Sequence, residues 1–506
     1  MKKLYTLVLF LISLTVANSQ SGALDTSFGT DGIVTTVISG TYNYTTGTLV
    51  QPDGKIILVG YAGEPSTYKV AVARYNTDGS LDTSFGTAGT QIIPIGAAKS
   101  FAMDVALQMD GKIILAARTW DDVTGDFAVV RLNDNGTLDT NFGTNGITIV
   151  NNGSDVAETV AIQNDGKIIL AGFSDDTYSA ARFNTDGTLD TSFGTNGWAS
   201  TQFDTSLSFV RDIAIQDDGK ILMGGFNITM ANRFEMSAAR FNEDGTLDTS
   251  FGTDGKVWFN IGAGNDFVES VAIQGDGKIL IGGHKWISDL EQRHDLAVVR
   301  LNSDGTFDNS YGSSGVATAR LVDGSNYTAA MILQPDNKVV LAGSTVFQGE
   351  YNMAMARFDA AGILDTSFDT DGMVSTDING REDYGDAITL QEDGKIILAG
   401  NSFTGGVSEI VVARFDNDIL GLNDSTVNEN QIVGFYNSDS KTFNVQSETE
   451  TIKKVSIFTI SGQGLATIDN NALSFSTDVS AFAEGIYIVI ITTNNNRSNA
   501  IKFLKY

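Results

Sequence analysis

The hydrophobic positions of the chain return in a short block that is copied seven times. Its clearest form is residues 163–172, in which a polar turn, Asn-Asp-Gly-Lys, precedes the apolar run Ile-Ile-Leu-Ala-Gly. The turn aspartates, each followed two positions later by a lysine, are Asp53, Asp110, Asp165, Asp218, Asp276, Asp336 and Asp393. Successive copies lie 53 to 60 residues apart, and a period of this kind indicates a repeat architecture.

Each copy predicts a β-hairpin. Asp-Gly between two apolar runs favours a type I′ turn, because glycine adopts positive φ without strain. In the sixth copy Asn337 replaces the glycine, and asparagine tolerates that conformation better than most residues. The run after the turn is apolar on both faces, as expected of a strand between two sheets. The lysine after the turn is expected to be solvated.

Two further blocks complete each unit. The first reads Leu-Asp-Thr-Ser-Phe-Gly and starts at Leu24, Leu81, Leu138, Leu189, Leu247, Phe307 and Leu364. The second is an apolar run that ends at Arg74, Arg131, Arg182, Arg240, Arg300, Arg357 and Arg414. We count four strands per unit: the segment after the opening glycine, such as residues 33–38, the runs before and after the turn, and the run ending in arginine.

Four short strands repeated in this way are typical of a β-propeller, so seven units predict seven four-stranded blades. A single blade cannot bury both of its faces, and the blades must therefore stack radially. Residues 24–32 match the later connectors. We expect them to cover the junction between the last and the first blade without a covalent link.

Loop lengths separate the two faces of the ring. From each of these arginines to the glycine that opens the next unit the distance is always 15 residues, whereas the connection from the turn lysine to the arginine varies from 15 to 22. The variable connections share one face, and ligand binding is expected there. Candidate ligand-binding residues are Tyr61, Trp120, Asp121, Phe234, His284, Trp286 and Phe347. Aromatic rings beside acids and amides suit a sugar or a peptide, and chance exposure is the alternative.

The repeated polar residues call for a structural interpretation. An active site is a singular arrangement, so the seven Asp and Arg residues predict turn caps or inter-blade bonds. Residues 184–190 pack oxygen ligands around a glycine, but they lack the ligand alternation and the closing glutamate of a calcium loop. No cofactor is predicted, and calcium is the alternative.

Histidine occurs twice, at His284 and His294, near Glu291 and Asp295. This is the one constellation that suggests metal or acid–base chemistry, but a spacing of ten residues across a loop favours two solvated side chains. No nucleophile elbow, phosphate loop or dinucleotide fingerprint is present. The sequence therefore predicts no enzyme.

Composition narrows the class of protein. With 54 Gly, 4 Pro and 42% hydrophobic residues, the chain is turn-rich and folded. It has no cysteine, which excludes disulfides and thiolate chemistry. A formal net charge of −29 disfavours nucleic acid and anionic membranes as partners.

The chain is predicted to divide into four segments. Residues 1–19 have the basic, apolar and small-residue parts of a signal peptide, and their apolar run is too short to span a bilayer. Residues 20–418 form the propeller and residues 419–434 a polar linker. In residues 435–506, apolar runs at 442–445, 455–460, 473–475, 485–492 and 501–505 predict a small β-sandwich.

Two resemblances add to this interpretation. The Leu-Asp-Thr-Ser-Phe-Gly, Asp-Gly-Lys-Ile and Ala-Arg-Phe-Asn blocks resemble the delta-60 repeat β-propeller family from residue 24 to about 418, which implies the fold and a secreted or cell-surface setting. The runs 485–489 and 502–505 resemble the C-terminal sorting domain of type IX secretion substrates, which implies that machinery as a partner. We expect a non-enzymatic binding or adhesion scaffold for a glycan or a surface protein. The alternative is a carbohydrate-active enzyme or lectin that uses the variable loops.

Overall fold

The computed structural model describes residues 20–96, 99–203, 207–287, 293–378, 380–417, 432–437, 441–447, 451–459, 464–482, 485–494 and 498–505. The predicted signal peptide, most of the predicted linker, and Glu291 lie outside the described residues. Among the described residues, seven four-stranded antiparallel sheets account for 28 strands, one sheet for each sequence repeat. The predicted seven-bladed β-propeller is therefore confirmed.

The strands occupy four positions in a blade. The inner strands are β2 (Tyr42–Val50), β6 (Lys99–Leu107), β10 (Asp155–Ile162), β14 (Leu207–Ile215), β18 (Phe267–Ile273), β22 (Ser325–Leu333) and β26 (Glu382–Leu390). The second strands are β3 (Ile56–Gly63), β7 (Ile113–Trp120), β11 (Ile168–Ser174), β15 (Ile221–Ile228), β19 (Ile279–Trp286), β23 (Val339–Phe347) and β27 (Ile396–Thr404). The third strands are β4 (Lys69–Tyr75), β8 (Gly125–Leu132), β12 (Thr177–Phe183), β16 (Phe234–Phe241), β20 (His294–Leu301), β24 (Glu350–Phe358) and β28 (Val407–Phe415). The outer strands are β5 (Thr90–Ile93), β9 (Ile147–Val150), β13 (Trp198–Thr201), β17 (Lys256–Phe259), β21 (Val316–Ala319), β25 (Met373–Thr376) and β1 (Ile33–Thr36).

The grouping of strands into blades differs from the sequence units. The strand that opens each unit pairs with the arginine-bearing strand of the preceding unit, so it is the outer strand of the preceding blade. The 15-residue connector turns the chain back onto the same sheet, which a local sequence pattern does not reveal. Consequently β1 pairs with β28 and closes the ring, and the closure is a shared sheet rather than a covering connector alone.

Both faces of the second strands are buried, as predicted. In β3, Ile57 and Val59 pack with the second blade, whereas Ile56 and Leu58 pack with the last blade. The apolar cores therefore lie between neighbouring blades, and each blade contributes to two of them. This packing explains why these runs show no alternation of polar and apolar residues.

A repeated arginine forms an ion pair within its own blade and a hydrogen bond to the next blade. In the third blade Arg182 Nε lies 2.8 Å from Asp190 Oδ2, its Nη1 donates to the Glu243 carbonyl of the next blade, and its guanidinium stacks on Phe193. The second carboxylate oxygen of Asp190, Oδ1, caps a turn by accepting hydrogen bonds from the amide and the hydroxyl of Ser192. The predicted turn cap is confirmed. The Arg–Asp pair lies within one blade, and the arginine reaches the next blade through a backbone carbonyl rather than the predicted carboxylate.

The turn lysines were wrongly expected to be solvated. Each approaches the aspartate of the repeated Arg–Asp pair, with distances of 2.7 Å for Lys112–Asp139 and 3.0 Å for Lys167–Asp190. The hairpin turn and the connector share one face of the propeller, which brings the lysine of one and the aspartate of the other together. Each of these aspartates therefore has two cationic partners.

Acid unfolding should report these pairs. Although burial raises the pKa of Asp248, hydrogen bonds from Ser250 and the charge of Arg240 lower it to about 2. A depressed carboxyl pKa contributes stability above the unfolded value of about 3.9, and that stability is lost as the pH falls through the folded pKa. We expect the melting temperature to fall steeply between about pH 4 and pH 2. Asp248→Asn should be less stable than the wild type at pH 6, and its melting temperature should fall less steeply below about pH 4. The same pH dependence in both proteins would contradict a stabilising role for the ionised Asp248.

The C-terminal residues form two antiparallel sheets that share one core. One sheet holds β29 (Ile432–Asn437), β30 (Thr442–Ser447) and β33 (Ser474–Asp478), and the other holds β31 (Ile452–Thr459), β32 (Gly464–Ala472), β34 (Gly485–Thr493) and β35 (Ser498–Lys505). Their shared core includes Phe443, Val455 and Tyr487. The predicted sandwich is confirmed, but β29 and β32 were not predicted. Within the described ranges, no helix is long and apolar enough to cross a membrane.

Candidate functional site in the central channel

Every inner strand contains a β-bulge at the same place. The strand register skips one residue in each blade, and the skipped residues are Thr46, Met103, Glu158, Arg211, Glu269, Ala329 and Asp386. All seven line one cavity of about 180 Å³ in the middle of the ring. We call them the channel residues.

The sequence encodes the bulge in the second strand. Opposite the bulge, six of the seven blades have a glycine, and a Cβ at Gly172 would lie 1.9 Å from the Val156 carbonyl oxygen. The same close approach occurs at Gly400, where a Cβ would lie 1.8 Å from the Tyr384 oxygen. The glycine that ends the Ile-Ile-Leu-Ala-Gly run therefore admits the bulged inner strand, and Ala117 takes this place in the second blade.

Arg211 lies between two channel carboxylates. Its guanidinium is 3.7 Å from Glu158 and 3.5 Å from Glu269, and Arg118 is 3.4 Å from Glu158. Burial raises the pKa of Glu269 to about 7 despite the charge of Arg211, and burial also raises the pKa of Glu158. The Glu269 carboxyl is therefore held near its point of titration at neutral pH.

Asp386 is a third channel carboxylate. Burial raises its pKa to about 7, although a hydrogen bond from Asn401 opposes the shift. Among the described residues, no lysine or arginine forms an ion pair with it. The three channel carboxylates come from three different blades, one from each.

Two further carboxylates of the channel wall hold neighbouring inner strands together. Asp104 accepts a hydrogen bond from the Val160 amide at 2.9 Å, and Asp212 accepts one from the Val271 amide at 2.8 Å. Burial raises the pKa of Asp212 to about 6 despite this bond. Both side chains therefore serve the spacing of the blades.

Aromatic side chains surround the channel on the face of the variable loops. They stand two residues before the bulge, towards that face, and we call them the aromatic rim: Tyr44, Phe101, Phe209, Phe267, Tyr327 and Tyr384, with Val156 in the third blade. All six rim aromatics are half-buried. They contact rings of the second strands, for example Tyr44 with Tyr61 at 4.8 Å and Phe209 with Phe226 at 5.3 Å.

The structure divides the predicted ligand-binding residues into groups. Tyr61, Phe234 and His284 pack against the aromatic rim, with ring centroids 4.8 to 5.0 Å from Tyr44, Phe267 and Phe267 respectively. Trp286 reaches the rim through His294, 4.9 Å away. Phe347 ends β23, and its side chain lies outside the described part of the chain.

Trp120 and Asp121 lie elsewhere on the same face. They line a separate cavity of about 520 Å³ together with Lys99 and Ile149, which is 45% exposed. Asp121 accepts hydrogen bonds from the Val123 and Thr124 amides, which shapes its own loop. The predicted set therefore does not form one site.

The two histidines are not solvated loop residues, contrary to expectation. His284 lies in β19 and His294 in β20, they are 6% and 8% exposed, and their rings are 5.0 Å apart. Burial lowers the pKa of His284 to about 3 and that of His294 to about 4. Both strands extend further than the sequence suggested, so the neutral rings pack beside the rim. Asp295 pairs with Arg320 instead.

The candidate calcium loop is a hydrogen-bonded turn. Asp186 accepts hydrogen bonds from the Thr188 amide and hydroxyl, and Asp190 pairs with Arg182 and Lys167. In the described part of the chain, no group of three or more acidic or histidine side chains is placed to hold a metal ion.

Sequence reasoning missed the channel residues, although a signal for them exists. Each lies seven positions before the aspartate of the hairpin turn. When the units are aligned on that aspartate, this position changes chemistry from copy to copy, whereas the surrounding blocks repeat. Variation at one position among otherwise similar copies shows that the fold does not require a particular residue there, and such a position is a candidate for function.

Family models match most of both regions. A domain of unknown function described as a β-propeller, DUF5122, matches residues 51–85, 108–142, 163–193, 216–251, 274–311, 334–368 and 391–418. A secretion system C-terminal sorting domain matches residues 437–505. Both expected resemblances, to a seven-repeat propeller family and to a sorting domain, are confirmed.

Several solved structures are similar to the chain at low sequence identity. Virginiamycin B lyase from Staphylococcus aureus is 12% identical, with a TM-score of 0.44 over 73% of this chain and 94% of that chain. Polysaccharide lyase Uly1 is 12% identical, with a TM-score of 0.42 over 74% and 90%. Sqt1 from Chaetomium thermophilum is 12% identical, with a TM-score of 0.41 over 74% and 97%. Similarity at this level carries nothing about activity. No curated protein matches the chain significantly.

Proposed function

Because the chain consists of seven DUF5122 β-propeller repeats followed by a secretion system C-terminal sorting domain, we propose that it is a non-enzymatic binding module. The sorting domain implies export through the type IX secretion machinery and a secreted or cell-surface location. On this proposal the propeller presents its channel and aromatic rim to a ligand outside the cell.

One observation carries the proposal. The seven bulges give every blade the same backbone shape, yet the residues they turn into the channel include acids, a base, a hydroxyl, a thioether and a methyl group. Bulges commonly re-aim side chains beside functional sites. Repeated residues serve the fold, and these unlike residues serve recognition.

The aromatic rim defines the class of ligand. Half-buried tyrosine and phenylalanine rings offer flat apolar surfaces with polar edges, which suit the faces of sugars and the side chains of surface proteins. Tyr351 and Tyr384, with ring centroids 4.7 Å apart, extend this surface towards a variable loop. The ligand is therefore proposed to be a glycan or a surface protein that covers the rim.

Binding by the rim is tested with Tyr384→Ala. The full-length protein and the variant are applied to a glycan array and to envelope proteins of the source organism. We expect the variant to lose roughly ten-fold or more in affinity, because a central aromatic anchor commonly contributes about 2 kcal/mol.

Trp258→Ala is the matched control. Trp258 is 43% exposed on the outer strand β17, beside the connectors and away from the rim. Its removal should leave binding unchanged. The proposal is refuted if the wild type binds neither the glycan array nor the envelope proteins. It is also refuted if the wild type and Tyr384→Ala bind equally well.

A carbohydrate-active enzyme is the second candidate. It is favoured by two carboxyls, Glu269 and Asp386, whose pKa values burial raises to about 7, where an acid or base works at neutral pH. Incubation with a panel of polysaccharides, followed by chromatography, separates the candidates. Products formed by the wild type and lost in Glu269→Gln would replace the non-enzymatic proposal.

A further inference from the structure

The two halves of the channel differ in their charge balance. In the third, fourth and fifth blades, Glu158, Arg211 and Glu269 form a chain of ion pairs that Arg118 extends. In the sixth, seventh and first blades, the channel residues are Ala329, Asp386 and Thr46. Among the described residues, this half of the channel therefore contributes one channel carboxylate, Asp386, and no basic channel residue.

The surroundings of Asp386 leave room beside it. Gly47, Ala330 and Ala387 line the same cavity, so small side chains flank the carboxylate. Asn401 donates a hydrogen bond to Oδ2. A half-buried carboxylate with a single amide donor is poorly compensated, because removal from water disfavours its charged form.

Aromatic rings stand above this carboxylate. Tyr384 precedes Asp386 by two residues on β26, and the ring of Phe403 lies 5.6 Å from Tyr384 and 5.9 Å from Tyr44. Burial is the main cause that raises the pKa of Tyr384 to about 12, and the nearby charge of Asp386 adds to the shift. Rings above a carboxylate attract a cation in two ways, because the carboxylate forms an ion pair with it and the ring faces form cation–π contacts.

The depth of Asp386 selects the kind of cation. Asp386 lines the cavity whereas the rim residue Tyr384, two positions earlier on β26, does not, so the carboxylate lies deeper in the channel than the rim. An ammonium attached directly to a sugar ring would stop at the rim. Lysine carries its ammonium on a flexible four-carbon stem that passes between rings and reaches the carboxylate.

We propose that the channel binds a lysine side chain of a peptide or protein ligand, with its ammonium on Asp386 and its stem between the rings of Tyr44 and Tyr384. This inference rests on the proposed function and names the ligand as a protein rather than a glycan. The net charge of −29 favours the approach of such cationic partners.

The test compares two short peptides that differ in one group. A blocked Gly-Lys-Gly peptide and its Nε-acetyl-lysine counterpart are titrated into the full-length protein by NMR or calorimetry at neutral pH. Acetylation removes the charge and keeps the stem. We expect the unmodified peptide to bind at least roughly ten-fold more tightly, because only the ammonium forms a charge-assisted hydrogen bond with the carboxylate.

Two variants locate the effect. Asp386→Asn removes the charge with little change of shape and should reduce the ratio of the two affinities to about one. Asp217→Asn changes the net charge equally at an exposed position next to a hairpin turn, and it should keep the wild-type ratio. Melting temperatures of both variants establish that they are folded.

Each remaining outcome counts against the proposal. Equal affinities for the two peptides in the wild type, or a ratio that persists in Asp386→Asn, would overturn it. If neither peptide binds while Tyr384→Ala still loses its glycan or envelope ligand, the lysine site is refuted and the binding function stands. If no ligand of any class binds, both proposals fail.

Discussion

A disulfide formed by Thr35→Cys and Val411→Cys is expected to raise the free energy of unfolding by roughly 2–4 kcal/mol. The two positions lie directly opposite each other where β1 pairs with β28. Because β1 is the strand by which the chain closes its own ring without a covalent bond, the cross-link makes that junction covalent. Thermal and denaturant unfolding of oxidised and reduced protein measure the gain, and the absence of native cysteines excludes mispairing.

A second cysteine pair provides the control. Ala354→Cys and Ser375→Cys occupy the equivalent opposite positions of β24 and β25 in the sixth blade. There the cross-link closes a short loop between strands that are already consecutive, so the loop-entropy model predicts a gain about 2.5 kcal/mol smaller. Equal gains would mean that the closure contributes no more to stability than any other outer strand.

The closure was foreseen only in part, and the reason is physical. Alternation and turn chemistry identified the strands, because hairpins such as Asp165–Lys167 depend on neighbouring residues alone. Which sheet receives a strand depends on how a 15-residue connector folds back, and no local pattern records that. The connector was recognised as rigid, but the strand after it was assigned to the wrong blade.

The same limit applies to the candidate site. Four of the aromatic and imidazole side chains expected in the variable loops, Tyr61, Phe234, His284 and Trp286, lie at or beside the rim. The channel residues escaped notice because a bulge breaks the two-residue period of the strand. An acid such as Glu269 or Asp386 inside an inner strand then looks like an ordinary solvent-facing position.

Lysines and histidines were misjudged for a related reason. Solvation was inferred from sequence neighbours, whereas the partner of Lys167 is Asp190, in a different loop. His284 is buried because β19 extends beyond the predicted end of its strand. In a ring of stacked sheets, burial is decided by residues of other loops and strands, in the same blade as well as in the next one.

Replacing Arg357 by methionine is expected to lower the free energy of unfolding by roughly 3 kcal/mol, the low end for breaking a buried ion pair, because Asp365 is half-buried and keeps Lys338 at 2.9 Å. Arg357 is fully buried, its Nε lies 2.8 Å from Asp365, its Nη2 donates to Ser367 at 2.9 Å, and its guanidinium is 4.7 Å from the Phe368 ring. Its Nη1 also donates to Ser21 of the N-terminal segment at 3.1 Å. Chemical denaturation at neutral pH measures the loss.

Arg381→Met is the matched control for this substitution. Arg381 pairs with Glu409 at 3.0 Å, but both side chains are about a quarter exposed (26% and 23%), so the loss there should be no more than about 1 kcal/mol. Comparable losses at the two positions would mean that the repeated arginines act as ordinary surface charges. A large loss at Arg357 alone supports a ring held together by one buried arginine in each blade, which leaves the channel residues free to differ.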